Sequence, residues 1–226
     1  MKLGIFGTGI VGRLLAEKLV ADGNEVMIGT RNIQNTLAKN EPDIIGTPPY
    51  IQWQEKNTKV KLGTFADVAK FGEIIFISTF GDVAINAIDM AGTEHLAGKI
   101  VIDTTNPLDL SNGIPPGFSG TVGNSLGEQI QRHLPQAKVV KAFNTLSMHI
   151  VVNPQREEGD PVLLIAGNDQ GAKRSVGEIA KGWGWKDIVD LGGISESFFL
   201  ESFALLWIRY AFKNNSWTHA FKLLRK

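Results

Sequence analysis

The 226-residue sequence predicts an α/β fold, in which a doubly wound parallel sheet is followed by a small C-terminal extension of strand and helix. Three observations predict it. Short apolar runs alternate with amphipathic stretches of helical length, the pattern of successive β-α-β units. A glycine-rich turn stands directly between the first such run and the first helix. Several later runs end in clusters of Gly, Ser, Thr and Asn, where ligands of doubly wound sheets lie.

Residues 2–6 (KLGIF) are apolar apart from Lys2 and Gly4, as suits a buried parallel strand. Gly7, Gly9 and Gly12 then form G-x-G-x-x-G around Thr8, Ile10 and Val11, with Ala16 four residues on. The first glycine permits a tight turn, the second lets a pyrophosphate approach the backbone, and the third lets the helix pack close to the strand. Val11, Leu14, Leu15 and Leu19 make the following helix amphipathic, and its free N–H groups and positive dipole end favour an anion. This context reads the motif as the dinucleotide turn of a Rossmann fold.

A break at residues 22–24 leads to a second strand over 25–28, ending at Gly29-Thr30-Arg31. An NAD-selective fold places a carboxylate near this strand end, for the ribose 2′-hydroxyl. Here stand a hydroxyl and a guanidinium, which favour the extra phosphate of NADP. Residues 32–40 read as a helix and 43–57 as an irregular insertion with Pro48-Pro49 and exposed-looking Tyr50 and Trp53. A short strand at 60–62, a cap at Thr64 and a helix at 65–70 follow. Strands are expected at 73–78, 99–103 and 138–142, with helices ending near Ala91 and spanning 125–133. Their ends place residues 78–82, 103–107 and 142–145 at the ligand edge.

Residues 1–150 read as the dinucleotide-binding domain and 151–226 as an extension that completes the sheet, the pocket and a dimer interface. The extension carries strands at 161–166 and 186–190 and a helix from 169 or 170 to 181. A long helix over 196–212 is apolar around nearly its whole circumference, so it is buried in the protein's own core or, the favoured reading because too little chain follows 213 to cover it, at a subunit interface. Trp183, Trp185, Trp207 and Trp217 fit core or interface packing better than an acceptor site.

Lys plus Arg and Asp plus Glu both number 23, which gives no electrostatic case for nucleic acid or an anionic membrane. The absence of cysteine removes disulfides and thiolate chemistry. With no secretory leader and no apolar run of membrane-spanning length, a soluble, cytoplasmic protein is expected.

GTGIVG at 7–12, GTR at 29–31, KVVKAFNT at 138–145 and DLGGISESFFLES at 190–202 are together similar to the coenzyme F420-dependent NADP oxidoreductase family. The cytosolic domains of the six-transmembrane ferric reductases are similar too. The resemblance runs from Lys2 to about Leu224. It implies NADP(H), with phosphates at the Thr8–Val11 turn, the 2′-phosphate at the Thr30-Arg31 pair, Asn32 among the cofactor-binding residues, and a homodimer. It further implies that the nicotinamide lies near the loop after Ser78 and near Ala142, with Thr79, Phe80, Val83, Asn106 and Asn144 among the cofactor-binding residues. Archaeal members carry a lysine, an arginine and a histidine where this chain has Asn35, Phe198 and Asn144. That favours NADP more than it favours an acidic F420.

Hydride transfer between planar rings needs close stacking and exclusion of water rather than an acid or base. The inventory agrees, with two tyrosines, scattered histidines and no Tyr-x-x-x-Lys pair. His149 is a weak candidate proton donor. Lys141 and Asn144, three apart on a strand and a loop, point in different directions and do not form an acid pair. Asp103 is expected to order its own turn. The leading expectation is an NADP(H)-dependent oxidoreductase passing hydride to a flavin-like or deazaflavin (F420) acceptor, with no metal. The alternatives are reduction of a small carbonyl, imine or quinone, and a non-catalytic NADPH-sensing or partner-binding module.

Overall fold

The computed structural model describes residues 1–43 and 46–225. Ile44 and Ile45, inside the expected insertion, lie outside the described residues. Strands β1 (Lys2–Phe6), β2 (Glu25–Thr30), β3 (Lys61–Thr64), β4 (Ile74–Ile77) and β5 (Ile100–Asp103) all run parallel. A small antiparallel hairpin, β6 (Leu108–Asp109) and β7 (Gly117–Phe118), stands apart in the expected Gly/Pro loop. Strands β8 (Lys138–Ala142), β9 (Val162–Gly167) and β10 (Asp187–Asp190) extend the main sheet, whose order is β10-β9-β8-β5-β4-β1-β2-β3. The chain winds outward from β1 through β2 to β3, then crosses back to β4. The order therefore reverses between β1 and β4, and a ligand crevice is expected at their carboxyl ends.

The sheet is parallel with one exception. Strand β9 runs antiparallel to β8, pairing Val140 with Gly167 and Ala142 with Ile165. The mostly parallel doubly wound sheet is as expected, and the connection explains the one antiparallel pairing. Residues 143–161 hold only the four-residue helix α7 (Met148–Val151), too short to carry the chain back across the sheet. The chain enters β9 from the ligand edge instead. A full crossover helix, α8 (Gln170–Gly182), then makes β10 parallel to β9.

Helices cover both faces. Helix α1 (Ile10–Ala21), α7 and α8 pack Leu15, Leu19, Val151, Val176 and Ala180 against one face. Helices α4 (Phe65–Phe71), α5 (Ala84–Ala91) and α6 (Leu126–His133) pack Val68, Ile88 and Ile130 against the other. Local rules set the ends: Thr64 with Asp67 caps α4 and Ser125 with Glu128 caps α6, each as a reciprocal capping box. The insertion folds around α2 (Ile33–Ala38) and α3 (Tyr50–Gln54). Tyr50 is buried there, stacked obliquely on Trp53, a correction to its expected exposure.

Helix α9 (Ser197–Asn214) buries Leu200, Glu201, Ala204, Trp207 and Ala211. The expectation that too little chain follows to cover the helix is corrected in part. Residues 216–221 fold back, with the His219 carbonyl accepting from Trp207 Nε1 at 2.9 Å and Phe221 packing on Phe203. Phe199, Leu206 and Tyr210, at positions i, i+7 and i+11, stay exposed as one stripe.

Candidate active site

The glycine turn joins β1 to α1 at the crossover between β1 and β4. Gly7 has φ +114°, and a Cβ there would stand 2.7 Å from the Ser78 carbonyl oxygen. A Cβ on Gly12 would stand 2.2 Å from the Gly7 carbonyl oxygen, so glycine alone lets α1 approach this closely. Gly9 differs. Its φ of −73° is ordinary, and a Cβ there would meet nothing within 4 Å. Nothing in the fold needs a glycine at that position, and the space over it is open. Helix α1 also has no side-chain cap and no acidic residue in its first turn. Its first N–H groups are left for an anion.

Arg13, one residue past the last glycine, locks this turn. Its Nε donates to the Thr8 carbonyl at 2.8 Å and its Nη1 to the Pro48 carbonyl at 2.7 Å, and the guanidinium lies over the Tyr50 ring. Burial lowers its pKa, against the opposing pull of Tyr50 and Asp43. Trp53 Nε1 also donates to Glu17 on α1. The insertion is thus tied to the phosphate turn. The sequence reading passed over Arg13, because its partner lies 35 residues away in an irregular segment.

At the end of β2 the two expected phosphate readers part ways. Thr30 is buried and its hydroxyl bonds the Thr36 hydroxyl at 2.6 Å, so it faces inward. Asn32 accepts from Asn35 N and caps α2. Arg31 is exposed, with no hydrogen bond or ion pair to any described residue. Of the three, Arg31 is the group left free to meet a phosphate.

The Ser78 hydroxyl donates to the Phe6 carbonyl at 3.0 Å and holds β4 to β1. Thr79 follows with a buried hydroxyl that has no partner, and Phe80 and Val83 are exposed beyond it. Asn106 and Asn144 join the ends of β5 and β8: Asn106 Nδ2 donates to the Asn144 carbonyl, and Asn144 Nδ2 to Asn106 Oδ1, both at 2.9 Å. Asn144 Oδ1 is buried without a partner. Ala142 is fully buried in β8, and Phe143 takes a left-handed φ of +62°. His149 is exposed on α7 and makes no hydrogen bond to a described residue.

Behind these loops lies a charge cluster that the sequence did not reveal. Lys141 Nζ pairs with Asp103 Oδ2 at 2.6 Å and Glu201 Oε1 at 2.8 Å, and donates to the Thr105 carbonyl at 2.9 Å. All three side chains are 0% exposed. Burial pulls the Lys141 pKa down, but the two carboxylates outweigh it and hold the ammonium above the ordinary lysine value. Asp103 Oδ1 accepts from both Thr105 N and Thr105 Oγ1, the turn-ordering role expected of it. Glu201 accepts from the N–H groups of Leu126 and Gly127 at the start of α6. Lys141 and Asn144 make no pair, as expected. Among the described residues no group of three metal-ligating side chains occurs.

The residues present fit a dinucleotide: an open cradle over Gly9, an uncapped helix start, and an unpaired buried hydroxyl at Thr79. A surface depression of about 690 Å³ lined by Arg132, Lys138, Asp169 and Ser195 lies at the opposite edge of the sheet, where β8 begins, and belongs to no part of this site.

Fold and turn together define a class, the Rossmann proteins that hold a dinucleotide at the β1–β4 crossover. A profile of the family described as NADP oxidoreductase, coenzyme F420-dependent, matches residues 2–107. The crystal structure of an Arthrobacter sp. FB24 protein, assigned as an F420-dependent NADP-reductase, is 42% identical, with a TM-score of 0.94 over 100% of both chains. The F420-dependent NADP reductase of Methanocaldococcus jannaschii is 29% identical over 96% of this chain and 95% of its own. Metalloreductase STEAP3 of Rattus norvegicus is 28% identical over 90% of this chain, which spans 36% of that longer protein. The chain belongs to the F420-dependent NADP oxidoreductase family and is an NADP-dependent oxidoreductase. No described helix is long and apolar enough to cross a membrane.

Proposed function

We propose that this protein transfers hydride between NADP(H) and a flavin-like or deazaflavin ring, F420 being the leading acceptor. The observation that carries the reading is the pairing of an open Gly9 cradle with an Arg31 that has no partner among the described residues, at a strand end whose Gly29-Thr30-Arg31 carries no carboxylate. The nucleotide supplies the hydride. The first N–H groups of α1 hold its diphosphate, Arg13 fixes the turn that presents them, and Arg31 meets the 2′-phosphate. Thr79, Asn106 and Asn144 offer neutral donors and acceptors at the ring end.

None of these three ring-end side chains carries a charge, and neutral walls suit a step in which no proton need move within the protein. His149 is exposed and unpartnered, so nothing fixes it as a donor for a carbonyl or imine substrate. The similarity to F420-dependent NADP reductases favours F420. The exposed stripe of Phe199, Leu206 and Tyr210 supports a homodimer with the long helix at its interface.

The deciding experiment measures NADPH oxidation with F420, FMN, FAD, a ferric chelate and a quinone in parallel. F420 is expected to turn over fastest, with NADH a poor donor. Turnover of small carbonyls or imines but of no flavin-like ring would replace this reading with the second one. No turnover with any acceptor, alongside tight NADPH binding, would make the protein a sensing module.

A further inference from the structure

We propose that Glu201, on the C-terminal helix, is a positioning residue for the nicotinamide end of the site, acting through Lys141 on the loops that carry Asn106 and Asn144. The inference rests on the NADP reading above and deepens it. The contacts form an unbroken series. Glu201 Oε1 meets Lys141 Nζ, Lys141 Nζ meets the Thr105 carbonyl, and the next residue, Asn106, exchanges two hydrogen bonds with Asn144. One end of the series sits on α9 and the other at the carboxyl ends of β5 and β8, where the ring is expected.

Stability alone is a poor account of this cluster. Two carboxylates and one ammonium leave a net charge of −1 among groups with no exposure. Packed apolar residues of similar size are often as stable as a buried ion cluster, whereas removing one member is costly. What the cluster does supply is geometry. Lys141 Nζ donates a hydrogen bond to the Thr105 carbonyl and lies at ion-pair distance from one carboxylate oxygen each of Asp103 and Glu201. Glu201 answers three donors, with Lys141 and Gly127 N on Oε1 and Leu126 N on Oε2. The dipole at the start of α6 offsets the excess negative charge.

Three donors facing Glu201 make the joint specific to a carboxylate. In Glu201→Gln, an amide nitrogen must face either Lys141 or a backbone N–H, all of them donors. The side chain then turns, Lys141 loses its anchor on α9, and the Thr105 carbonyl loses its fixed partner. The glycine turn and Arg31 touch none of these groups, so the phosphate end stays intact. The result is a selective loss at the ring end.

Two ligands separate the ends: NADPH, and 2′-phospho-ADP-ribose, which lacks the nicotinamide. Titration calorimetry gives both dissociation constants for the wild type and for Glu201→Gln. The expected outcome is a loss of NADPH affinity of about 5- to 20-fold, within the range of coupling through packed polar networks. Affinity for 2′-phospho-ADP-ribose should stay within about twofold, because its contacts lie on other loops. A purely structural role would weaken both ligands together, or neither, and either result overturns the proposal. Should Glu201→Gln not fold, Asn106→Ala at the far end of the series must show the same selective loss; unchanged NADPH affinity there also overturns it. If 2′-phospho-ADP-ribose fails to bind the wild type, the NADP reading itself falls, a distinct result.

Discussion

The three glycines of the phosphate turn make opposite demands, and exchanging each for alanine separates fold from binding. At Gly9 a methyl group meets no atom within 4 Å and the backbone φ is −73°, so Gly9→Ala should leave stability unchanged within about 0.5 kcal/mol. The same methyl group enters the space over the first N–H groups of α1. A hydrogen bond to a charged partner contributes about 1.5–3 kcal/mol, so disturbing one or two costs about 2–4 kcal/mol, or about 30- to 1,000-fold in affinity. NADPH and NADH should suffer alike, since both carry the diphosphate. Gly12→Ala behaves differently, because its methyl group falls 2.2 Å from the Gly7 carbonyl oxygen, a backbone atom that cannot swing away. Helix α1 must then move off β1, at a cost of about 1–3 kcal/mol as for other overpacked sites. Urea unfolding reads the first effect and calorimetric titration the second. The reasoning is refuted if Gly9→Ala binds NADPH within about threefold of wild type, or if it unfolds as readily as Gly12→Ala.

Three further outcomes are expected. Arg31→Ala should weaken NADPH about tenfold, the lower end for a charge-assisted contact because the site is exposed and salt-screened, and leave NADH within about twofold. Equal weakening of both nucleotides by fluorescence titration removes Arg31 from the 2′-phosphate. Tyr50→Phe should be near neutral at pH 7, since the buried hydroxyl has no partner. It should, however, flatten the alkaline limb of stability. Burial raises the Tyr50 pKa above its ordinary value of 10.0, outweighing the opposing charge of Arg13. Above pH 10 the unfolded chain therefore loses this proton first, and wild-type stability falls as pH rises; urea midpoints at pH 9 and 11 test this. Leu206→Glu, at the centre of the exposed stripe on α9, should give a monomer by analytical ultracentrifugation without loss of helix content, and an unchanged dimer would place the interface elsewhere.

Much of the fold was legible because it follows from short-range rules. The apolar run before Gly7, the cap at Thr64, the helix over 125–133 and the strand over 138–142 each depend on a few neighbouring residues, and the structure has them in place. What the sequence hid depends on partners far apart in the chain. The direction of β9 turned on the brevity of α7. Arg13 met Pro48 across an irregular loop, and Glu201 looked like an interruption of an apolar helix rather than the partner of a lysine 60 positions earlier. Thr30 and Arg31, adjacent in sequence, were read as one phosphate-binding pair. A strand sends successive side chains to opposite sides, so the structure turns Thr30 onto Thr36 and leaves Arg31 outside.

The distribution of charge around the site bears on the reaction it can support. Asp103, Lys141 and Glu201 lie under the strand ends and answer one another, so none is presented to a ligand. Arg13 spends two donors on backbone carbonyls, and Arg31 stands at the outer end of β2, where the proposed binding mode puts the 2′-phosphate rather than the ring. Thr79, Asn106 and Asn144, which the proposed binding mode puts at the ring end, are all neutral. A buried carboxylate or ammonium aimed at the ring would shift the balance between oxidised and reduced nicotinamide, because only the oxidised ring is cationic. Holding the charges behind the loops as a buried, paired cluster lets them fix geometry without biasing that balance. That arrangement suits an enzyme whose task is to move a hydride between two rings of similar potential, and it is less suited to one that must deliver a proton to an oxyanion or an amine.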